Sequence, residues 1–237
     1  MKILITNDDG IFAPGITALV NALKDDHEVF VLAPDRQCSG FSHCISFDKK
    51  LTLNEVDKNR FSLNGTPCDC VKLAIDRLFQ PDLVIRGINA GRTSGTDVWY
   101  SCTVQAAVEG VISGYPALAV SSRRSDTDDY SYSAEFIAQN ITKLYGLCRE
   151  INGVLNVNFP VFSETECKGI KAVPLGRRIY HDSYEKVSEN EYFMRGDHID
   201  DDLTYDNDLK CFEEGYITLT AITIDPTDYE LTGGLTL

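Results

Sequence analysis

The chain has no hydrophobic run long enough to cross a bilayer. None of its 237 residues lies in a stretch near the roughly 18 consecutive apolar positions that a span needs. Its start is equally short of apolar residues: Lys2 is followed only by Ile3-Leu4-Ile5 before Thr6 and Asn7. That is too little for a secretory leader, so a cytoplasmic protein is expected, with no membrane partner. Basic residues are scarce, with 22 Lys and Arg against 36 Asp and Glu and a net charge of −14. Phosphate backbones are held by basic stripes, so long nucleic acid is excluded as a partner. Paired CxxC spacing is absent among the eight cysteines, which are expected as reduced, buried thiols. The four histidines form no cluster, although His43, four residues past Ser39, could face a pocket. Repeats, low-complexity tracts and linkers are also missing.

An apolar content of 43% in a chain of this length suits one sizeable α/β domain spanning 1–237. Up to about residue 160, strand and helix signals alternate at βα spacing. Strands are expected at 3–5, 28–32, 82–86, 117–121 and 155–159, with extended segments near 45–53 and 60–64. Ile16, Leu19, Val20 and Leu23 recur at helical spacing, and further helices are expected at 101–112 and 132–149. Another helix has a clear start. Thr66 is its cap, Pro67 fits the first turn, and Asp69 completes a Thr-x-x-Asp box before Val71, Leu73, Ala74 and Leu78. Beyond residue 160 two aromatic-bearing stretches flank Ser188-Glu189-Asn190 and read as a hairpin arm over 177–196, with a last strand at 216–224. The expected fold is a Rossmann-like three-layer core of mostly parallel sheet (about 1–160 and 215–225) carrying that arm. Residues 197–214 hold eight acids against Lys210, a balance of −7. They are expected as a solvated loop, with a second metal site as the lesser alternative.

Three short segments follow apolar strand runs: Asn7-Asp8-Asp9-Gly10, Ala33-Pro34-Asp35-Arg36-Gln37-Cys38-Ser39-Gly40 and Gly87-Ile88-Asn89-Ala90-Gly91. In a parallel sheet such loops gather outside the carboxyl ends of the strands, where ligands bind. Adjacent aspartates aimed at one point repel by roughly 4 kcal/mol at 4 Å and an effective dielectric of 20, a penalty that a cation removes. Asp8, Asp9, Ser39 and Asn89 form an all-oxygen donor set suited to one Mg²⁺ or Mn²⁺ ion, or to Ca²⁺, rather than to zinc. Gly87, Gly91 and Gly95 let the backbone approach a ligand, and Ser101 and Thr103 open a helix whose N-terminus favours an anion. This is neither a GxGxxG fingerprint nor a P-loop. Metal and phosphate grip together point to metal-assisted phosphoryl transfer to water.

These segments resemble the SurE family of survival-protein nucleotidases. Ile3 to Gly10 looks like its opening, Ala33-Pro34-Asp35 through Ser39-Gly40 like its second motif, and Gly65-Thr66-Pro67-x-Asp69-Cys70 through Ala74 like its third. Pro81-Asp82-Leu83-Val84 through Gly87-Ile88-Asn89-x-Gly91 looks like the fourth. Tyr100-Ser101-x-Thr103-Val104 with Ala106-Ala107 and Glu109-Gly110 looks like the fifth. The resemblance implies a metal-dependent 5′-nucleotidase acting on nucleoside monophosphates, with 3′-nucleotides and short polyphosphate as side substrates in some members. It also implies exchanged arms in a homodimer or homotetramer, and one divalent cation per subunit. The family's ligands fall on Asp8, Asp9, Ser39 and Asn89, and Asp8 and Asp9 are the catalytic candidates. Asn7, Ser39, Gly40, Gly91, Thr93, Ser101 and Thr103 are the substrate-binding ones. A non-catalytic nucleotide- or metal-binding sensor is the alternative. The chain departs from the family's usual pattern at Arg86, where serine is usual, and at Thr93, Cys102 and Thr218-Leu219-Thr220-Ala221. Arg86 has two readings: a strand-end arginine paired with a nearby acid, or a guanidinium that reaches a substrate phosphate.

Overall fold

Strand β1 (Lys2–Thr6) lies inside a nine-stranded sheet in the computed structural model, which describes residues 1–201 and 203–234. On one side it pairs in parallel with β2 (Glu28–Pro34), which is followed outward by β4 (Arg60–Leu63) and β3 (Leu53–Asp57). On the other side it pairs in parallel with β5 (Leu83–Ala90), and then come β6 (Ala117–Ser122) and β7 (Gly153–Phe159). The antiparallel β11 (Ile217–Thr223) and the short β8 (Ile170–Ala172) complete that side. The strand order reverses at β1, so the segments leaving β1, β2 and β5 meet at a topological switch point.

The central strands read as continuous apolar runs because both faces are covered. Ile3, Ile5 and Ile85 pack under α1 (Pro14–Leu23) and α4 (Ser131–Glu150). Leu4 and Val84, one residue out of phase, pack under α2 (Pro67–Leu73) and α3 (Cys102–Ile112). Gly15 lets α1 seat on the end of β5, since a Cβ there would come within 2.1 Å of the Ile88 carbonyl oxygen. Helix α2 starts as its capping box dictates: Asp69 N–H donates to Thr66 Oγ1 at 3.1 Å, and Thr66 N–H donates to the Asp69 carboxylate at 2.8 Å. The helix does not stay regular to Leu78, because residues Ala74–Leu78 widen into a π turn.

The arm forms where it was expected and runs further. Strands β9 (Arg177–Lys186) and β10 (Tyr192–Asp201) pair antiparallel, from Arg177 opposite Asp201 to Lys186 opposite Tyr192. Three expectations need correction. Residues 45–52 are irregular, and the edge strand β3 begins only at Leu53. Asn89 is not in a loop: β5 continues to Ala90, with its register to β6 broken between Arg86 and Asn89. The acidic segment is a solvated loop only at 203–206. The rest supplies the end of β10 and a largely buried helix, α5 (Asp208–Glu213), while Asp202 lies outside the described residues. No helix among the described residues is long and apolar enough to cross a membrane.

Candidate metal and phosphate site

The turn after β1 is closed by Asn7. Its amide group donates to the Gly10 carbonyl at 2.8 Å and accepts from the Gly10 N–H at 3.2 Å, with Gly10 at φ +102°. Asn7 is fully buried in this role, shaping the turn, and it is not among the residues that line the pocket described below. The turn presents Asp8 and Asp9 to the switch point. Cys38 N–H donates to the Asp8 carbonyl at 2.7 Å, and Ile11 N–H to the Pro34 carbonyl at 2.9 Å, which fixes the Ser39 loop against the Asp8 turn. Ala90 N–H donates to Asp9 Oδ2 at 3.2 Å and ties in the end of β5. Asn89 Nδ2 donates to the Gly91 carbonyl at 2.8 Å, leaving the Asn89 carbonyl oxygen as its free polar end.

The result is a pocket of about 340 Å³ lined by Asp8, Asp9, Ser39, Asn89, Thr93 and Thr103, together with Gly40 and Ser101. Ser101 caps α3, its Oγ accepting from Thr103 N–H at 3.0 Å and Val104 N–H at 3.5 Å. Those amides are therefore engaged, and the hydroxyls are what this helix start offers to a ligand. Thr93 is held from behind by β7: Asn156 and Asn158 donate to its carbonyl at 2.8 and 3.0 Å, and its N–H donates to Asn158 Oδ1 at 2.8 Å. Gly91 lies outside the lining, its amide donating to the Ser122 carbonyl at 2.8 Å and its carbonyl accepting from Asn89.

The electrostatics suit a cation. Burial raises the Asp9 carboxyl above its ordinary range, and the charge of Asp8 adds to this, while the Ala90 amide, Arg86 and Arg124 oppose it. Thr103 Oγ1 is a buried oxygen with no hydrogen-bond partner, and Asp8 Oδ1 is buried with only the Arg86 guanidinium beside it, Nη2 at 2.9 Å. Buried polar atoms are rarely left so, and an oxygen-binding ion or phosphate would satisfy them. One other group of ligand-type side chains exists among the described residues, Asp206, Cys211 and Glu214. There the Lys171 ammonium already lies 2.8 Å from Asp206 and 3.8 Å from Glu214.

Residues 3–182 match the family described as Survival protein SurE. The chain belongs to the SurE family. It is 44% identical over 244 residues to the 5′-nucleotidase SurE of Syntrophomonas wolfei, covering 98% of this chain and 92% of that protein. It is 41% identical over 252 residues to the 5′-nucleotidase SurE of Natranaerobius thermophilus, covering 99% and 97%. The crystal structure of the SurE protein from Aquifex aeolicus superposes with a TM-score of 0.83 at 31% identity, over 99% of this chain and 98% of that one.

This SurE chain also lines the pocket with residues that sequence reasoning did not select: Gln37, Arg92, Asp97, Tyr100, Arg124 and Tyr180. Arg124 was within reach, because it follows the β6 run and so comes off the same sheet edge. Tyr180 was not, because it arrives from the base of the arm, where its hydroxyl donates to Asp97. His43 turns away from the pocket and sits 2.8 Å from Glu109 and 3.2 Å from Gln105. The cysteines are free thiols, six of them buried, and burial pushes Cys68 up to about 12 and Cys102 up to about 11. Such thiols are inert. Arg86 is fully buried beside Asp8 and outside the pocket lining, so it does not reach a substrate phosphate.

Proposed function

We propose that this chain is a 5′-nucleotidase that releases phosphate from nucleoside monophosphates with the help of one divalent cation, Mg²⁺ or Mn²⁺. The observation that carries the reading is the convergence of two adjacent carboxylates, a serine and an asparagine with the hydroxyl-bearing start of α3 in one pocket. Asp8 and Asp9 would hold the ion, with Ser39 and Asn89 completing an all-oxygen shell. When bound, the ion supplies charge that polarises phosphoryl oxygens and lowers the pKa of a coordinated water. Asp9, held in place by the Ala90 amide, would orient the attacking water. The hydroxyls of Thr93, Ser101 and Thr103 and the backbone at Gly40 would hold the phosphate. At the rim, Tyr100 and Tyr180 meet edge to face at 6.1 Å between ring centres and offer an aromatic wall to a nucleobase.

Phosphate release from a panel of nucleoside 5′-monophosphates tests the reading, after chelation and again with Mn²⁺ or Mg²⁺ restored. Turnover is expected only with metal; equal turnover after exhaustive chelation would refute the metal role. We further propose a two-fold homo-oligomer built through the arm. The arm exposes Tyr184, Val187, Tyr192, Phe193 and Met194, and a two-stranded ribbon is marginal alone. Removing 183–193 should yield monomers by sedimentation. A wild-type chain that is already monomeric at micromolar concentration counts against the assembly.

A further inference from the structure

Arg86 is the largest fully buried side chain among the described residues. It projects from β5 on the same face as Val84, into the layer between the sheet and helices α2 and α3, with Ala119 of β6 paired beside it. All three guanidinium nitrogens are buried without a hydrogen-bond acceptor. The one charge they meet is Asp8, with Nη2 at 2.9 Å from Oδ1 but off the hydrogen-bonding direction. A buried guanidinium with no acceptor is costly, so the Asp8 carboxylate is its counter-ion. The guanidinium is fully buried and, among the described residues, its one ion pair is with Asp8, so it stays under the site whether or not an ion is present.

We propose that Arg86 is a built-in counter-ion of the aspartate pair, one that stabilises the metal-free site and weakens its hold on the divalent cation. The inference rests on the metal reading above. Adjacent carboxylates without an ion repel, and a fixed positive charge beneath Asp8 relieves part of that repulsion. An incoming divalent ion then binds against a standing positive charge, so its affinity is lower than the four oxygen ligands alone would provide. The site becomes one that fills and empties with metal supply.

Calorimetric titration with MnCl₂ alone tests this. Arg86→Met, close in length but uncharged, should bind Mn²⁺ about tenfold more tightly than wild type, whereas Arg86→Lys, which keeps the charge, should stay within about threefold. Folded Arg86→Met with unchanged or weaker binding overturns the inference and leaves the metal reading intact. Wild type that binds no Mn²⁺ overturns both. A second measurement does not depend on Arg86→Met folding. In chelated protein, Asp8→Asn should lower the thermal midpoint by stranding the buried guanidinium. A raised midpoint, the outcome if Asp8 merely repels Asp9, overturns the inference.

Discussion

The chain gathers acids in two places and uses them in opposite ways. Between Asp197 and Glu214 the described carboxylates meet partners. Asp200 takes Arg178 at 2.7 Å, Asp206 takes Lys171 at 2.8 Å, and Glu213 takes Arg92 at 2.5 Å. Asp208 is fully buried yet accepts from the backbone amides of Gly176 and Gly95 at 2.7 and 2.8 Å. Burial nonetheless raises its carboxyl to about 6. At the end of β1, by contrast, Asp8 and Asp9 stand side by side with one backbone amide on Asp9 and one misaligned arginine on Asp8. Acid density alone therefore does not mark a site. Carboxylates whose lone pairs are satisfied hold the structure together, and those left short of donors are available to a ligand.

The largest expected effect tests this contrast directly. Asp9→Asn should lower turnover by about 10²–10³-fold at saturating Mn²⁺, the size expected on losing one transition-state stabiliser. Asp206→Asn, equally acidic in sequence but paired with lysines, should leave turnover unchanged. Comparable losses in both would erase the distinction.

Next in size is the structural side of the comparison. Arg178 is 6% exposed and joins Asp97, beneath the pocket rim, to Asp200 on β10. Arg178→Met removes the main partner of two partly buried carboxylates, leaving Asp97 with the Tyr180 hydroxyl and Asp200 with Arg92 at 3.4 Å, and urea unfolding should show a loss of about 3 kcal/mol. A loss under about 1 kcal/mol would mean that these pairs behave as surface ion pairs.

The smallest effect concerns a third acid, Glu109, which is satisfied by His43 at 2.8 Å and Lys72 at 2.9 Å. Burial favours its neutral form, but the hydrogen bonds from His43 and Lys72 outweigh burial and hold the carboxyl below its usual range. The bond to Glu109 likewise raises His43 above the ordinary 6.5. A histidine raised in the folded state stabilises fully below its unfolded pKa and loses that contribution as pH climbs through the folded one. His43→Gln should therefore cost about 1 kcal/mol at pH 6 and clearly less at pH 9. A pH-independent cost would show that His43 acts only by packing.

Local sequence determined the elements that depend on local forces. The capping box at Thr66 and Asp69, the apolar runs of β1, β2 and β6 and the small-residue face of α3 each announced themselves, because caps, periodicity and burial on both faces are written within a few residues. Asp8, Asp9, Ser39 and Asn89 were legible for the same reason: each lies at or just beyond the end of a strand run, and parallel strands bring such ends to one edge. Tertiary structure decided what each polar group faces. Asn7 and Asn89 are the same residue type in similar contexts, yet one closes a turn and the other lines the pocket. For Arg86 the sequence allows a strand-end ion pair or a phosphate contact, and it is the continuation of β5 to Ala90 that buries it beside Asp8. Tyr180 reaches the site from beyond residue 176, Arg178 holds the pocket residue Asp97 from there, and Asn156 and Asn158 brace the site from β7. Partners like these are separated by tens of residues, so no local pattern encodes them. They are set by strand order and by the requirement that each buried donor and acceptor find a mate.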